Sequence, residues 1–237
     1  MTRPVAQPYG EPMDLDGRVP EPELMIDPEQ AAAYSAADFA DAHQMLVDRF
    51  VECFPDLPSQ RGLRVLDLGC GPADVTTRLA NALPSARFTG VDGSAPMLEH
   101  AATRLRDAGL DDRVQLEHRH LPDADLESRR FDAVVSTSVL HHLTEPAALW
   151  TTVARCTEVG AAIFVGDLRR PRDLDTLDEL VAGAAGEPEV LVDDFRNSLC
   201  ASYRVDEVRA QVAAAGLDLT VEELGERHLA AWGHAPG

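Results

Sequence analysis

Two carboxylates flank a glycine-rich turn in the segment RVLDLGCGPADVTTRLA, residues 64–80. Asp67 lies two residues before Gly69, and Asp92 ends the next apolar run, 25 residues after Asp67. A glycine turn lets the backbone approach a ligand, while the following helix offers its N–H groups. Asp67 would repel a pyrophosphate and attract an ammonium group, and Asp92 can accept both hydroxyls of a ribose. The pattern predicts a ligand with a ribose, a cationic amine and no phosphate.

Two other interpretations of the turn remain open. A tight strand-to-helix connection with no ligand would also place glycines here. A nicotinamide dinucleotide site would need a third glycine where this chain has Asp74, so that interpretation is weakened.

A second group of polar residues follows the later apolar runs. His141 and His142, in SVLHHL, titrate near neutral pH and are candidates for a general base. Packing and hydrogen bonding at a helix start is the alternative. Asp167 and Arg170, in GDLRRP, are expected on the same rim, where an arginine can hold an acceptor carboxylate with two hydrogen bonds or simply be solvated.

Composition limits the partners. The 237 residues carry a formal charge of −20, which disfavours nucleic acid, and no apolar run approaches the roughly 20 residues that a bilayer requires. No secretory signal is visible and the four cysteines are scattered, so we expect a cytoplasmic protein without a membrane partner. No metal site is predicted, because the eight histidines are dispersed and the adjacent pair cannot easily converge from a regular helix.

Apolar runs that alternate with helical patterns predict an α/β fold. We expect a doubly wound, mostly parallel seven-stranded sheet of Rossmann type, with helices on both faces and the last strand antiparallel. The reversed strand follows from a hairpin whose two strands, LDLTVEE and RHLAAWG, are joined by only three residues. The five earlier strands are predicted at 64–69, 86–92, 113–117, 131–137 and 161–167.

The chain divides into three predicted parts. Residues 1–23 form an acidic, proline-rich tail that we expect to order only over a partner or ligand. Residues 24–58 form an N-terminal helical cap, and residues 59–237 the Rossmann-like domain, with a helical insert on the acceptor side at about 172–204.

Residues 64 to about 167 resemble a class I S-adenosylmethionine-dependent methyltransferase of the small-molecule type. VLDLGCGPAD resembles the first motif of that family, FTGVDGSAPMLEHA the second, and FDAVVSTSVLHHL the fourth strand with its loop. The resemblance implies S-adenosylmethionine as the cofactor and methyl transfer to O, N, C or S of a small acceptor. A protein that binds this cofactor without transferring methyl is the alternative.

The resemblance also implies roles for single residues. The backbone of Gly69, Cys70 and Gly71 would pass under the methionine moiety, with Asp67 near its amino group and Asp92 on the ribose. The remaining cofactor candidates are Gly93, Ser94 and Met97 beside the adenine, Glu117 or His118 facing its amino group, Ser136 at the end of the fourth strand, and Tyr34 in a helix that closes over the cofactor.

The acceptor candidates lie in the second half of the chain. His141 and His142 are the candidate catalytic residues, and the substrate candidates are Asp167, Arg170, Asn197, Tyr203 and His228. The turn of the hairpin is expected at the edge of the sheet that holds the site, which would bring His228 there. A homodimer is possible, with the tail as an exchanging arm.

Overall fold

The computed structural model describes Leu15, residues 17–22 and residues 24–237. Residues 1–14, 16 and 23 of the predicted tail lie outside the described residues. The described tail residues pack on the chain itself. Val19 N donates to Cys200 O at 3.1 Å and Arg204 Nη2 donates to Leu15 O at 2.9 Å. The expectation that the tail orders only over a partner or ligand stays a prediction.

The described residues form one seven-stranded sheet with the spatial order β3-β2-β1-β4-β5-β7-β6. The pairs β1–β2, β1–β4, β2–β3 and β4–β5 are parallel, whereas β7 is antiparallel to both β5 and β6. The strands are β1 (Arg64–Leu68), β2 (Arg87–Asp92), β3 (Val114–His118), β4 (Phe131–Thr137), β5 (Thr157–Leu168), β6 (Thr220–Leu224) and β7 (His228–His234). The prediction of a mostly parallel sheet whose last strand is reversed is confirmed.

Helices lie before, between and after the strands. They are α1 (Pro28–Ala36), α2 (Ala40–Cys53), α3 (Asp74–Ala82), α4 (Ala95–Asp107), α5 (Ala124–Glu127), α6 (Ala147–Cys156), α7 (Leu174–Ala182), α8 (Glu189–Ala201) and α9 (Val205–Ala214). Two 3-10 turns, at Leu57–Ser59 and Leu140–His142, complete the elements. The short helix α5 and both 3-10 turns are too brief to leave a periodic signal in the sequence.

Alternating strand residues build a core on each face of the sheet, because successive side chains of a strand point to opposite faces. On one face, Val65 and Phe164 pack with residues of α2, α3 and α4, such as Phe50. On the other face, Leu66 packs with residues of α6 and α9, such as Trp150. Both faces are covered by helices, as the apolar strands predict.

Local sequence fixes the helices that border the site. Asp27 caps α1 by accepting from the backbone N–H groups of Glu29 and Gln30, and Pro28 occupies the first helical position. Ser94 caps α4 by accepting from Met97 N at 3.3 Å. Helix α3 follows Ala73, whose φ of 61° lies in the left-handed region. A glycine at this position would adopt this conformation without strain.

None of the helices in the described ranges combines the length and the hydropathy that crossing a bilayer requires.

Candidate active site

A cavity of about 200 Å³ opens at the carboxyl ends of β1, β2 and β4. Strand order reverses between β1 and β4, which is where open α/β sheets bind their ligands. The walls of the cavity come from the residues after these strands, from the start of α3 and α4, and from the N-terminal segment. Among the lining residues are Leu24, Met25, Tyr34, His43, Gly69, Cys70, Gly71, Asp74, Asp92, Gly93, Ser94, Met97, Arg119, His120, Leu121, Thr137, Ser138, Val139, His142 and Leu143.

The glycine turn forms the floor of the cavity. Gly69 has a φ of 72°, and a Cβ atom there would lie 2.2 Å from Cγ2 of Val139, so no other residue fits. A Cβ atom on Gly71 would meet nothing within 4 Å, because this position faces open space. The predicted approach of the backbone to a ligand therefore has room at Gly71.

Asp92 lines the cavity at the end of β2. Its Oδ2 accepts from Gly71 N at 2.8 Å and its Oδ1 from Ser94 N at 2.7 Å, which fixes the carboxylate toward the turn. Burial raises the pKa of Asp92, although the two backbone donors oppose this shift. Each oxygen keeps lone-pair capacity for a further donor, as two ribose hydroxyls would require.

Asp67 lies beneath the cavity and is 1% exposed. Its Oδ2 accepts from Thr76 Oγ1 at 2.6 Å, while its Oδ1 is buried and has no hydrogen-bond partner among the described residues. Burial raises the pKa of Asp67 to about 6, and the nearby Asp92 adds to the rise. An unpaired buried acceptor is costly, and an approaching cation would remove that cost. The ammonium role of Asp67 stays a prediction.

The residues predicted beside the adenine separate into two groups. Gly93, Ser94 and Met97 line the cavity. Glu117 lies outside its lining, because Arg119 Nε and Arg129 Nη1 hold it at 2.6 Å and 2.9 Å.

His118 is also outside the lining. It is exposed, and its Nε2 lies 2.9 Å from Gly93 O. The positions that do line the cavity are Arg119 and His120, which the sequence analysis missed. Strand β3 ends at His118, so a ligand at the end of the sheet meets the two residues that follow it.

Tyr34 of α1 lines the cavity as predicted. Burial raises the pKa of its phenol to about 12, and the charges of Asp167, Asp92 and Asp74 raise it further. Ser136 does not line the cavity, because its hydroxyl is buried and donates to Leu68 O at 2.8 Å across the β1–β4 pair. A direct cofactor contact by Ser136 is therefore not supported.

The two adjacent histidines converge on one point. They lie in the 3-10 turn after β4, with ring centroids 4.1 Å apart. His141 Nδ1 lies 2.5 Å from Asp167 Oδ1 on β5. His142 lines the cavity; burial, the largest single effect, lowers its pKa, but Glu21, the charge of Asp167 and the backbone of Pro22 together raise it, so the net shift is upward.

Glu21, which the sequence analysis did not single out, faces both imidazoles. Its Oε1 is 3.4 Å from His141 Nε2 and 3.0 Å from His142 Nδ1. The donor atoms of these three side chains all lie within 4.8 Å of one another, which is close enough for a metal ion. The argument that adjacent histidines cannot converge is therefore wrong, because a 3-10 turn places them differently from a regular α-helix.

Two predicted acceptor residues have structural partners instead. Arg170 is 1% exposed, and it donates to Ser202 O at 2.9 Å and to Glu207 Oε1 at 2.7 Å. A role for Arg170 as a carboxylate clamp on the rim is wrong, because the guanidinium is buried and paired. Tyr203 is buried and its hydroxyl donates to Leu143 O at 3.2 Å.

The other acceptor candidates differ in exposure. Asp167 is buried against His141; burial, the largest single effect, raises its pKa, but the charges of His141 and His142 and the hydrogen bonds from His141 and Leu168 N together lower it. His228 is buried at the start of β7, and desolvation together with Arg227 lowers its pKa to about 4. Asn197 is exposed on α8. Contacts of these three residues with an acceptor stay predictions.

Similarity to known proteins agrees with this geometry. Residues 66–163 match a family model described as a methyltransferase domain. The chain is 28% identical over 183 residues to 27-O-demethylrifamycin SV methyltransferase of Amycolatopsis mediterranei, which covers 77% of this chain and 63% of that one. It is 32% identical over 113 residues to a ubiquinone biosynthesis O-methyltransferase of Hahella chejuensis, covering 46% and 44%. The chain thus spans less than two thirds of either relative.

A solved structure shares the fold. The plantazolicin methyltransferase BpumL in complex with SAH superposes with a TM-score of 0.69 at 13% identity, over 88% of this chain and 90% of that one. At this identity the likeness concerns the fold alone.

Fold and site together define a Rossmann-like protein with a cavity at the carboxyl ends of its parallel strands. The family match over residues 66–163 agrees with the resemblance of this part of the sequence to S-adenosylmethionine-dependent methyltransferases. The residues of this chain fit that cofactor: the Asp92 carboxylate, the orphan oxygen of Asp67 and the open space at Gly71 match a ribose, an ammonium group and a thioether-linked chain.

Proposed function

We propose that this protein methylates an oxygen of a small-molecule acceptor, with His141 as the general base. The observation that carries the proposal is the contact between His141 Nδ1 and Asp167 Oδ1 at 2.5 Å. When Nδ1 donates its proton to the carboxylate, Nε2 is left with a free lone pair that can accept a proton. This is the arrangement by which a carboxylate orients a catalytic histidine.

His142 has a complementary role in the proposal. It lines the cofactor cavity, and its raised pKa favours the imidazolium form, which stabilises negative charge on an acceptor oxygen. His141 Nε2 takes the proton of the acceptor hydroxyl, and the oxygen lone pair forms the new bond to carbon. Bound S-adenosylmethionine supplies a methyl group on a sulfonium, whose sulfur keeps the electron pair of the broken C–S bond.

Relatives support oxygen as the methylated atom. The rifamycin and ubiquinone enzymes named above are both O-methyltransferases by name. None of these relatives is named as a binder without methyl transfer, so the comparisons give no support to that alternative. A cytoplasmic location, a lack of affinity for nucleic acid and a homodimer stay predictions from the sequence.

A kinetic comparison of His141→Gln with the wild type tests the proposal. Production of S-adenosylhomocysteine is measured over a panel of phenols, alcohols and amines, and His100→Gln on α4 serves as the matched control. His141→Gln should lower kcat about 10²- to 10⁴-fold, because a general base contributes that much. Its affinity for S-adenosylhomocysteine, measured by calorimetry, should be unchanged. A variant with wild-type kcat, or turnover of amines alone, would contradict the proposal.

A further inference from the structure

The N-terminal segment crosses the mouth of the site. We call residues 17–22 and 24–25 the strap. Its Arg18 donates to His141 O at 2.5 Å and also to Ala201 O, and its guanidinium carbon lies 4.5 Å from the centre of the Tyr203 ring. At the other end, Met25 O accepts from Ser94 Oγ at 2.5 Å. The strap is therefore fixed on both sides of the histidine pair.

Glu21 lies between these two attachments and points inward. Its side chain is 12% exposed, and Oε1 faces both imidazoles. Ser198 Oγ donates to the same oxygen at 3.1 Å. Burial, the largest single effect, raises the pKa of Glu21, but His142, His141 and Ser198 together lower it below its ordinary value, so the carboxylate is an anion at neutral pH.

The Glu21 carboxylate occupies the position that the acceptor oxygen would need in the proposed reaction. It is within reach of Nε2 of His141, the proposed proton acceptor, and of Nδ1 of His142, the proposed positive partner. Leu24 and Met25, the strap residues beyond Glu21, line the same cavity as His142. The carboxylate thus lies at the end of the cofactor cavity rather than at a remote surface.

We propose that Glu21 is an internal substitute for the acceptor, and that the acceptor is an acidic hydroxyl, such as a phenol or an enol, which displaces the Glu21 carboxylate and becomes an oxyanion there by giving its proton to His141 Nε2. The proposal rests on the proposed function. A group that replaces the Glu21 carboxylate beside the His142 imidazolium keeps the electrostatic stabilisation only if it carries negative charge itself. An ammonium group would lose the stabilisation of the imidazoles, whereas an ionised hydroxyl keeps it. The strap must then move aside at Glu21 when the acceptor enters.

The test uses 4-nitrophenol, whose ionised form absorbs visible light, bound to the full chain saturated with S-adenosylhomocysteine. The comparison probe is 4-nitroanisole, which has the same ring but no ionisable hydroxyl. Glu21→Gln removes the internal anion at constant size. Glu29→Gln, an exposed glutamate of α1, is the matched control. Arg18→Ala loosens the strap and leaves Glu21 in place.

Glu21→Gln should bind 4-nitrophenolate roughly tenfold or more tightly than the wild type, because it no longer competes through a charged hydrogen bond. Binding of 4-nitroanisole should change less than twofold. Arg18→Ala should also bind 4-nitrophenolate more tightly than the wild type, but by a smaller factor. The affinity of Glu29→Gln should match that of the wild type.

Three results would overturn the inference: equal affinity of Glu21→Gln and the wild type for 4-nitrophenolate, an equal gain for 4-nitroanisole, or a stoichiometric metal ion in the purified protein by mass spectrometry. The metal ion would occupy the place assigned to the oxyanion. Calorimetry with S-adenosylhomocysteine separates these failures from that of the proposed function. If the cofactor product does not bind at all, the proposed function fails. If it binds and the probe responses are flat, only the inference fails.

Discussion

We predict that the buried charge of Asp67 lowers the stability of the fold and strengthens cofactor binding. The variant Asp67→Asn separates these two effects. In the folded protein the pKa of this buried carboxyl is about 6, compared with 3.8 for an exposed aspartate. An acid whose folded pKa is raised binds more protons in the folded state between these two values. Stability from this group therefore falls as pH rises from about 3.8 to about 6 and stays low above it.

The size of the effect follows from the two pKa values. Linkage gives a cost of about 3 kcal/mol at pH 7 and about 2 kcal/mol at pH 5. Asp67→Asn removes the charge, and its amide oxygen can still accept from Thr76 Oγ1. We expect the variant to be more stable by up to these amounts, and a chain of this length gains about 2 to 4 °C in Tm per kcal/mol.

Thermal unfolding without ligand at pH 7 and pH 5, monitored by circular dichroism, measures this difference. Asp111→Asn, an exposed aspartate after α4, is the matched control. Calorimetry at pH 7 then gives the other half of the prediction. The Kd for S-adenosylmethionine should rise roughly 10- to 100-fold, because the ammonium group loses a charged partner.

The pH dependence is the decisive part. A gain in Tm that is equal at pH 7 and pH 5, or a loss at both, would show that the Asp67 charge is not what limits stability. A stable variant with unchanged cofactor affinity would show that the ammonium group does not reach Asp67.

Three further predictions concern single residues. Asp92→Ala should raise the Kd for S-adenosylhomocysteine about 10- to 100-fold by calorimetry, because two charged hydrogen bonds to the ribose are lost; an unchanged Kd would place the ribose elsewhere. Arg170→Met should lower the free energy of unfolding in urea by about 2 kcal/mol, because it leaves the buried Ser202 O without its donor and removes the ion pair with the partly exposed Glu207, while cofactor affinity stays constant. A selective rise in acceptor KM without loss of stability would instead support the predicted role of Arg170 in holding an acceptor carboxylate. His228 has a folded pKa of about 4 against 6.5 unfolded, so its contribution to stability is present above pH 6.5 and is lost as pH falls toward 4. Between pH 7 and pH 5 the wild type should lose about 2 kcal/mol more than His228→Gln, and parallel stability curves would refute this assignment.

The sequence was a good guide wherever local pattern determines structure. Apolar runs placed the strands, the three-residue connection fixed the reversed direction of β7, and the glycine turn together with Asp92 marked the cavity. These features depend on residues that are close in the chain, or on the rule that parallel strands end at one edge of a sheet.

The site residues that the sequence analysis misplaced or missed depend on contacts between distant parts of the chain. The clamp assigned to Arg170 fails because Glu207, 37 residues away, pairs with it inside the protein. Glu117 lies outside the cavity because Arg129 and Arg119 hold it, and no periodicity signals such a pairing. Glu21 was missed since the strap is proline-rich and acidic, with no period that would distinguish it from solvated chain.

The hydrogen bond from Ser94 to Met25 has a kinetic consequence. One short stretch of chain walls the adenine side of the cleft with Leu24 and Met25 and closes the histidine side with Glu21. With this stretch in place, a bound nucleoside would be enclosed before the acceptor reaches the histidine side of the cavity. From this arrangement and the proposed function we predict ordered turnover, in which S-adenosylmethionine enters first and its demethylated product leaves last and competes with it.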